Sequence, residues 1–198
     1  LFGMTSLGSF GAAPYMLVFG IVILAAFLMY ESRRESMEKA AIIRVSMFRQ
    51  SRTFTFSCLA ALLNYGATFA ISYEMSIYLQ VILGIPSGKA GLMLITMPAA
   101  QALLSPFTGS LSDRIRPSVL ASIGAVTLLL YSRVDGNSSI FYVITVMAIT
   151  GIGFALFSSP NTNAILSCVS KKDYGVANSI IATMRTYGQS SGMAILSS

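Results

Sequence analysis

Two side chains that could do chemistry stand inside apolar runs. Glu74 lies ten residues before Gly84 and Arg185 ten residues after Gly175. In helices rising ~1.5 Å per residue, both sit about 15 Å deep in a hydrocarbon core of ~30 Å, entered from opposite faces. Ionisable groups at that depth are costly and tend to face a cavity or one another. One reading makes them a shared aqueous path for protons or a polar solute. In the other, Glu74 reaches the interface on a long tilted helix and Arg185 snorkels toward water.

A second polar set, Ser158, Ser159, Pro160, Asn161 and Asn163, gathers amides and hydroxyls in one apolar run. These side chains can satisfy the carbonyl that Pro160 frees, donate to a solute, or join helices. Tyr65, Tyr73, Tyr78 and Gln80 are candidates for a cavity wall, although tyrosine near a span end also serves as an interfacial anchor. A third set is the segment 109–117, G-S-L-S-D-R-I-R-P, which places Asp113, Arg114 and Arg116 between two long apolar runs. A carboxylate there can cap a helix that starts near Pro117 or act as one half of a hinge.

Enzymatic chemistry lacks its parts. The chain has no His, no Ser-Lys or Ser-His constellation, no phosphate-cradling glycine loop, and two isolated cysteines, Cys58 and Cys168. No metal set or cofactor is expected.

The elements that position these residues follow from composition. Of 198 residues, 55% are hydrophobic and 10% charged, too few charges to clothe a water-soluble domain. The chain reads as an all-α integral membrane bundle. Apolar runs cover residues 15–30, 54–83, 90–111, 119–131, 140–169 and 176–198, the fourth short for a span. Pro98 and Pro106 lie inside the third, where proline marks a kink. Gly151, Gly153 and the pair Gly188-x-x-x-Gly192 permit close helix approach. Between the first two runs, residues 31–52 are polar and carry a helical repeat of apolar positions, read as a surface helix or a solvated linker.

Alternating the spans puts Arg33, Arg34, Lys39, Arg44, Arg49, Arg52, Arg114, Arg116, Lys171 and Lys172 on one face, against Lys89 and Arg133 on the other. That bias assigns the segments 31–52, 112–118 and 170–175 to the cytoplasm. The net charge of +6 is thereby a topology signal and no sign of nucleic acid. With Leu1 first and an apolar run still open at Ser198, the chain reads as a fragment.

The segment 109–117 resembles the inter-helix signature of the major facilitator superfamily, G-x-L-S/A-D-R-x-G-R-K. It keeps Gly109, Leu111, Asp113 and Arg114, has Arg116 nearby, and lacks the second Gly and the last base. Residues 77–91, I-Y-L-Q-V-I-L-G-I-P-S-G-K-A-G, are similar to a string of drug exporters in that superfamily. Residues 151–165, G-I-G-F-A-L-F-S-S-P-N-T-N-A-I, resemble a string of its fourteen-span, QacA- and EmrB-like exporters, and residues 174–189 follow at the family's spacing. Residues 42–48 and Ser87-Gly88 depart from the pattern. The Glu74 position is typically apolar or small in the family, so Glu74 is not carried over from it.

The resemblance implies the C-terminal part of that fold: a linker span in 1–30, a cytoplasmic connection in 31–53, and an incomplete five-span bundle in 54–198. It implies alternating access, with Gly109, Leu111, Asp113, Arg114 and Arg116 as the conformational gate and Asp113 latching onto a helix of an absent N-terminal bundle. The implied activity is proton-coupled multidrug efflux across the plasma membrane, with the proton gradient as energy source. Small amphipathic compounds, cationic ones among them, would be the substrates. Read from the residues themselves and not from the resemblance, Glu74, Arg185, Gln80, Asn161 and Asn163 are the candidates for a proton or substrate path. The alternatives are a metabolite or peptide exporter on the same fold and a non-transporting scaffold.

Overall fold

The computed structural model describes residues 51–111, 115, 117–136 and 138–196, together with Phe19, Gly20, Val22, Ile23, Ala26, Met29, Tyr30, Met47 and Phe48. Of the segment 31–52 expected to hold a surface helix only Met47, Phe48, Ser51 and Arg52 are described, and Asp113, Arg114 and Arg116 of the gate lie outside the described residues. Regular structure among the described residues is helical throughout: α1 (Arg52–Ile77), α2 (Ser87–Leu94), α3 (Thr96–Leu111), α4 (Pro117–Thr127), α5 (Ile140–Ser167) and α6 (Tyr174–Leu196). Among the described residues, three stretches are long and apolar enough to cross a bilayer, Arg52–Ile82, Ser87–Leu111 and Ile140–Ser167. α4 is an 11-residue helix continued by a six-residue 3-10 segment, Leu128–Arg133.

Local chemistry sets the boundaries. Ser51 caps α1, its Oγ accepting the Phe54 N–H at 3.2 Å, and Ser139 caps α5 through the Tyr142 N–H at 3.2 Å. α1 does not end as a plain helix. It widens into a π-helical turn, Tyr78–Ile82, in which the Leu83 N–H reaches back to the Tyr78 carbonyl at 3.1 Å. Gly84 then takes a φ of 62°, open to glycine without penalty, and Pro86 starts α2.

Pro98 disturbs the apolar helical stretch Ser87–Leu111, as a proline inside a membrane helix is expected to do. The helix is interrupted at Ile95, between α2 and α3, and Pro98 sits in the first turn of α3. A proline ring clashes with the carbonyl four residues earlier, here Leu94, where α2 stops. Pro106 and Pro160 are accommodated inside α3 and α5.

The chain divides into two units, residues 1–70 with 165–198, and residues 71–164. The first has a core of Met47, Phe54, Cys58, Ile165, Ala177 and Ile180, with Phe48 and Phe54 meeting edge to face at 5.1 Å. Its α1 and α6 touch backbone to backbone: a Cβ at Gly188 or Gly192 would overlap the carbonyl oxygen of Leu62 or Gly66, and one at Gly66 would come within 2.9 Å of the Gly188 oxygen. The core of the second unit is built on Met75, Tyr78, Leu79, Met97, Val143 and Met147. There α3 and α5 meet at Gly151, where a Cβ would overlap the Met97 carbonyl oxygen. Thr108 fastens the same seam, its hydroxyl donating to the Ala155 carbonyl at 3.0 Å. Small residues make such seams because lipid supplies no hydrophobic drive between helices.

These contacts set an expected outcome. Gly188→Val and Gly151→Val should each destabilise by about 1–3 kcal/mol or more, as overpacking does, and lower the melting midpoint in detergent. Gly88→Ala, at a glycine facing open space, should melt within about 0.5 kcal/mol of the parent. Equal midpoints for all three would contradict the seams.

Candidate functional site

Each ionisable residue within a helix is best placed against its own unit. In the second unit, Glu74 is exposed and stands at a cleft of about 300 Å³ lined by Ile71, Glu74, Met75, Tyr78, Tyr131 and Val134, among others. The wall is fixed at Tyr78, a buried residue whose hydroxyl donates to the Asp135 carbonyl at 2.6 Å. The turn carrying Asp135 is closed on itself: the Ser138 hydroxyl donates to Asp135 Oδ1 at 3.0 Å and accepts the Asp135 N–H at 2.9 Å. Glu74 near the end of α1 and Tyr78 at the start of the π-helical turn are one turn apart, so they share a face. The π-helical turn that follows adds a residue without adding length, which brings Glu74 nearer the Gly84 end than uniform α spacing implies.

In the first unit, Arg185 is exposed on α6, its guanidinium carbon 5.5 Å from the centroid of the Tyr65 ring. That is a cation–π distance. Arg185 lies one turn before Gly188 and Tyr65 adjoins Gly66, so the stack sits beside the backbone seam.

The other candidates separate. Asn161 and Pro160 are buried in α5 and Asn163 is exposed. The Thr162 hydroxyl donates to the Ser158 carbonyl at 2.9 Å, and Ser159 reaches the Ser105 carbonyl of α3 at 3.4 Å. Gln80 is exposed, but its amide donates to Ser76 Oγ and the Ser76 carbonyl, at 3.0 and 3.1 Å, so its donors are spent on its own helix. Gly109 faces Ser159, whose Oγ a Cβ there would meet at 3.3 Å, and Leu111 is the last residue of α3. Gly153 is buried in α5. Cys58 and Cys168 form no disulfide and sit in or against the core of the first unit. Among the described residues no three His, Cys, Asp or Glu side chains converge as metal ligands.

Sequence reasoning missed four positions. Asp173 is a buried acid that accepts the Ser170 hydroxyl at 2.6 Å. The signal was present as S-x-x-D ahead of α6, a capping pattern. Thr108, Tyr131 and Gly66 carried no readable signal, because each owes its role to a partner distant in sequence.

The Major Facilitator Superfamily model matches residues 1–193. Among curated relatives, the riboflavin transporter RibZ of Clostridioides difficile (strain 630) is 29% identical over 186 residues, covering 92% of this chain and 40% of the relative. The uncharacterized transporter YebQ of Escherichia coli (strain K12) is 26% identical over 204 residues, 98% of this chain and 43% of the relative. The multidrug resistance protein Stp of Mycobacterium tuberculosis is 32% identical over 124 residues, 61% of this chain and 23% of the relative. The chain thus spans less than half the length of these relatives. No solved structure matches.

The Ser170–Asp173 contact yields a measurable expectation. Asp173→Ala should cost about 1 kcal/mol, the usual net worth of one hydrogen bond. Ser170→Ala should cost at least as much, since it leaves a buried carboxylate short of a donor. Thermal unfolding of the two variants in detergent checks the order.

Proposed function

The chain belongs to the Major Facilitator Superfamily, and on that premise we propose that it forms a linker span and five spans of the C-terminal bundle of a secondary transporter exporting small amphipathic compounds, cationic ones among them, in exchange for protons. The observation that carries this reading is the exposure of Glu74 on a helix long and apolar enough to cross a bilayer, with Arg185 exposed on α6. In a bilayer neither charge can face acyl chains cheaply. Each needs water or protein beyond its own helix, and aqueous cavities are where transporters of this class bind substrate and coupling ion. A scaffold has no use for them.

The remaining parts fit the same scheme. Ten bases against two support a cytoplasmic position for segments 31–52, 112–118 and 170–175, in the plasma membrane. By the resemblance, Asp113, with Arg114 and Arg116, then serves as the latch toward the other bundle. Membership in the fourteen-span, QacA- and EmrB-like group is supported by the strings at 77–91, 151–165 and 174–189. Similarity to Stp favours drugs as cargo, while similarity to RibZ favours a second reading, export or import of a heterocyclic metabolite such as riboflavin.

Flux in proteoliposomes holding the full-length protein separates these. A fluorescent cationic dye should leave several-fold faster under an imposed pH gradient, and Glu74→Gln should abolish the acceleration. Riboflavin flux without dye flux would replace the drug reading by the metabolite one, and gradient-driven export undiminished in Glu74→Gln would remove Glu74 from coupling. A thiol placed at Ser112 should resist a membrane-impermeant label applied outside intact cells; rapid labelling there would invert the topology.

A further inference from the structure

Building on the transport reading, we infer that the cleft between the end of α1 and the 3-10 segment after α4 is itself a binding subsite for a monovalent organic cation carrying an aromatic ring, with Glu74 as its counter-charge and Tyr78 and Tyr131 as its aromatic wall. All the lining residues belong to the second unit, so the site is complete without a residue from the other unit.

Size, charge and rigidity each restrict the ligand. A cleft of about 300 Å³ lies at the small end of the range for organic ligands, enough for a benzyl-sized ring and a quaternary ammonium. The lining provides one carboxylate and two phenol rings over Ile71, Met75, Ile77, Ile82 and Val134, and no basic side chain. An anion finds no counter-charge there, and a neutral apolar molecule leaves Glu74 desolvated and unpaired, which is penalised. A cation is attracted by the carboxylate and by the faces of aromatic rings. The wall is preorganised, because Tyr78 is buried and tied to the Asp135 carbonyl at 2.6 Å, and little ordering remains to be done on binding. The charge bias places this end of the bundle on the outer side, so the subsite lies late on an export path.

Equilibrium binding tests this without any gradient. The full-length protein in lipid nanodiscs is titrated with benzyltrimethylammonium and, separately, with its neutral carbon isostere neopentylbenzene. Glu74→Gln is expected to weaken the cation by about tenfold or more and Glu74→Asp by much less, as a charge contact predicts. Tyr131→Leu, which leaves the carboxylate in place, should weaken the cation by about threefold. A thiol introduced by Val134→Cys should be protected from maleimide by the cation, and the protection should vanish in the Glu74→Gln background. Equal cation affinity in the parent and in a monodisperse Glu74→Gln overturns the proposal, as does protection that ignores Glu74. Should Glu74→Gln not be recovered monodisperse, undiminished affinity in Tyr131→Leu overturns it. Loss of this binding result with proton-driven export intact would leave the transport reading standing; cation binding without gradient-driven flux would sink that reading and leave the subsite.

Discussion

A carboxylate and a guanidinium cannot rest against hydrocarbon, and that constraint organises the molecule. Both Glu74 and Arg185 are uncovered by the unit that carries them. Each has one accommodation within that unit, a polar-rimmed cleft for Glu74 and the Tyr65 ring for Arg185. Neither is a full solvation shell, since an aromatic face supplies a fraction of what water gives an ion. What remains for each must come from water or from protein beyond that accommodation.

The same absence of water explains how the helices hold together. Burying apolar area gains nothing between helices already in lipid, so association rests on close van der Waals packing and on satisfied polar groups. Gly66 against Gly188 and Gly192, and Gly151 against Met97 and Ala100, bring backbones together. Thr108 adds a hydroxyl between α3 and α5. Most other hydroxyls stay within their own helix: Ser105, Thr145, Thr150, Thr183 and Ser191 each donate to the carbonyl four residues back. Such bonds hide a polar group from lipid and leave the helix free of a fixed partner.

Much of this was legible in the sequence, because a membrane reduces the choice of structure to helices. The apolar runs gave the helices, and glycine, proline and charge gave the turns at Gly84, Arg133 and Lys171. What stayed hidden depends on neighbours. Gly188 and Gly192 are readable as a pair, but their partner Gly66 is a single small residue among several alanines. Tyr78 looks like any interfacial tyrosine until its hydroxyl is seen on Asp135. Pro98 is readable as a disturbance, yet the break falls at Ile95, displaced by the reach of the proline ring to the carbonyl behind it. Asp173 looks like a loop charge and is buried, held by Ser170.

The widened turn at Tyr78–Ile82 carries a geometric corollary. In a regular helix each residue advances the azimuth by about 100°, so one surplus residue leaves the stretches on either side out of phase by about that angle. The direction in which Leu83 leaves the helix for the turn at Gly84 therefore differs from the one an unbroken α-helical count assigns it. Excising a single residue from this turn would swing that exit around the axis, a change of direction that no substitution at one position could produce.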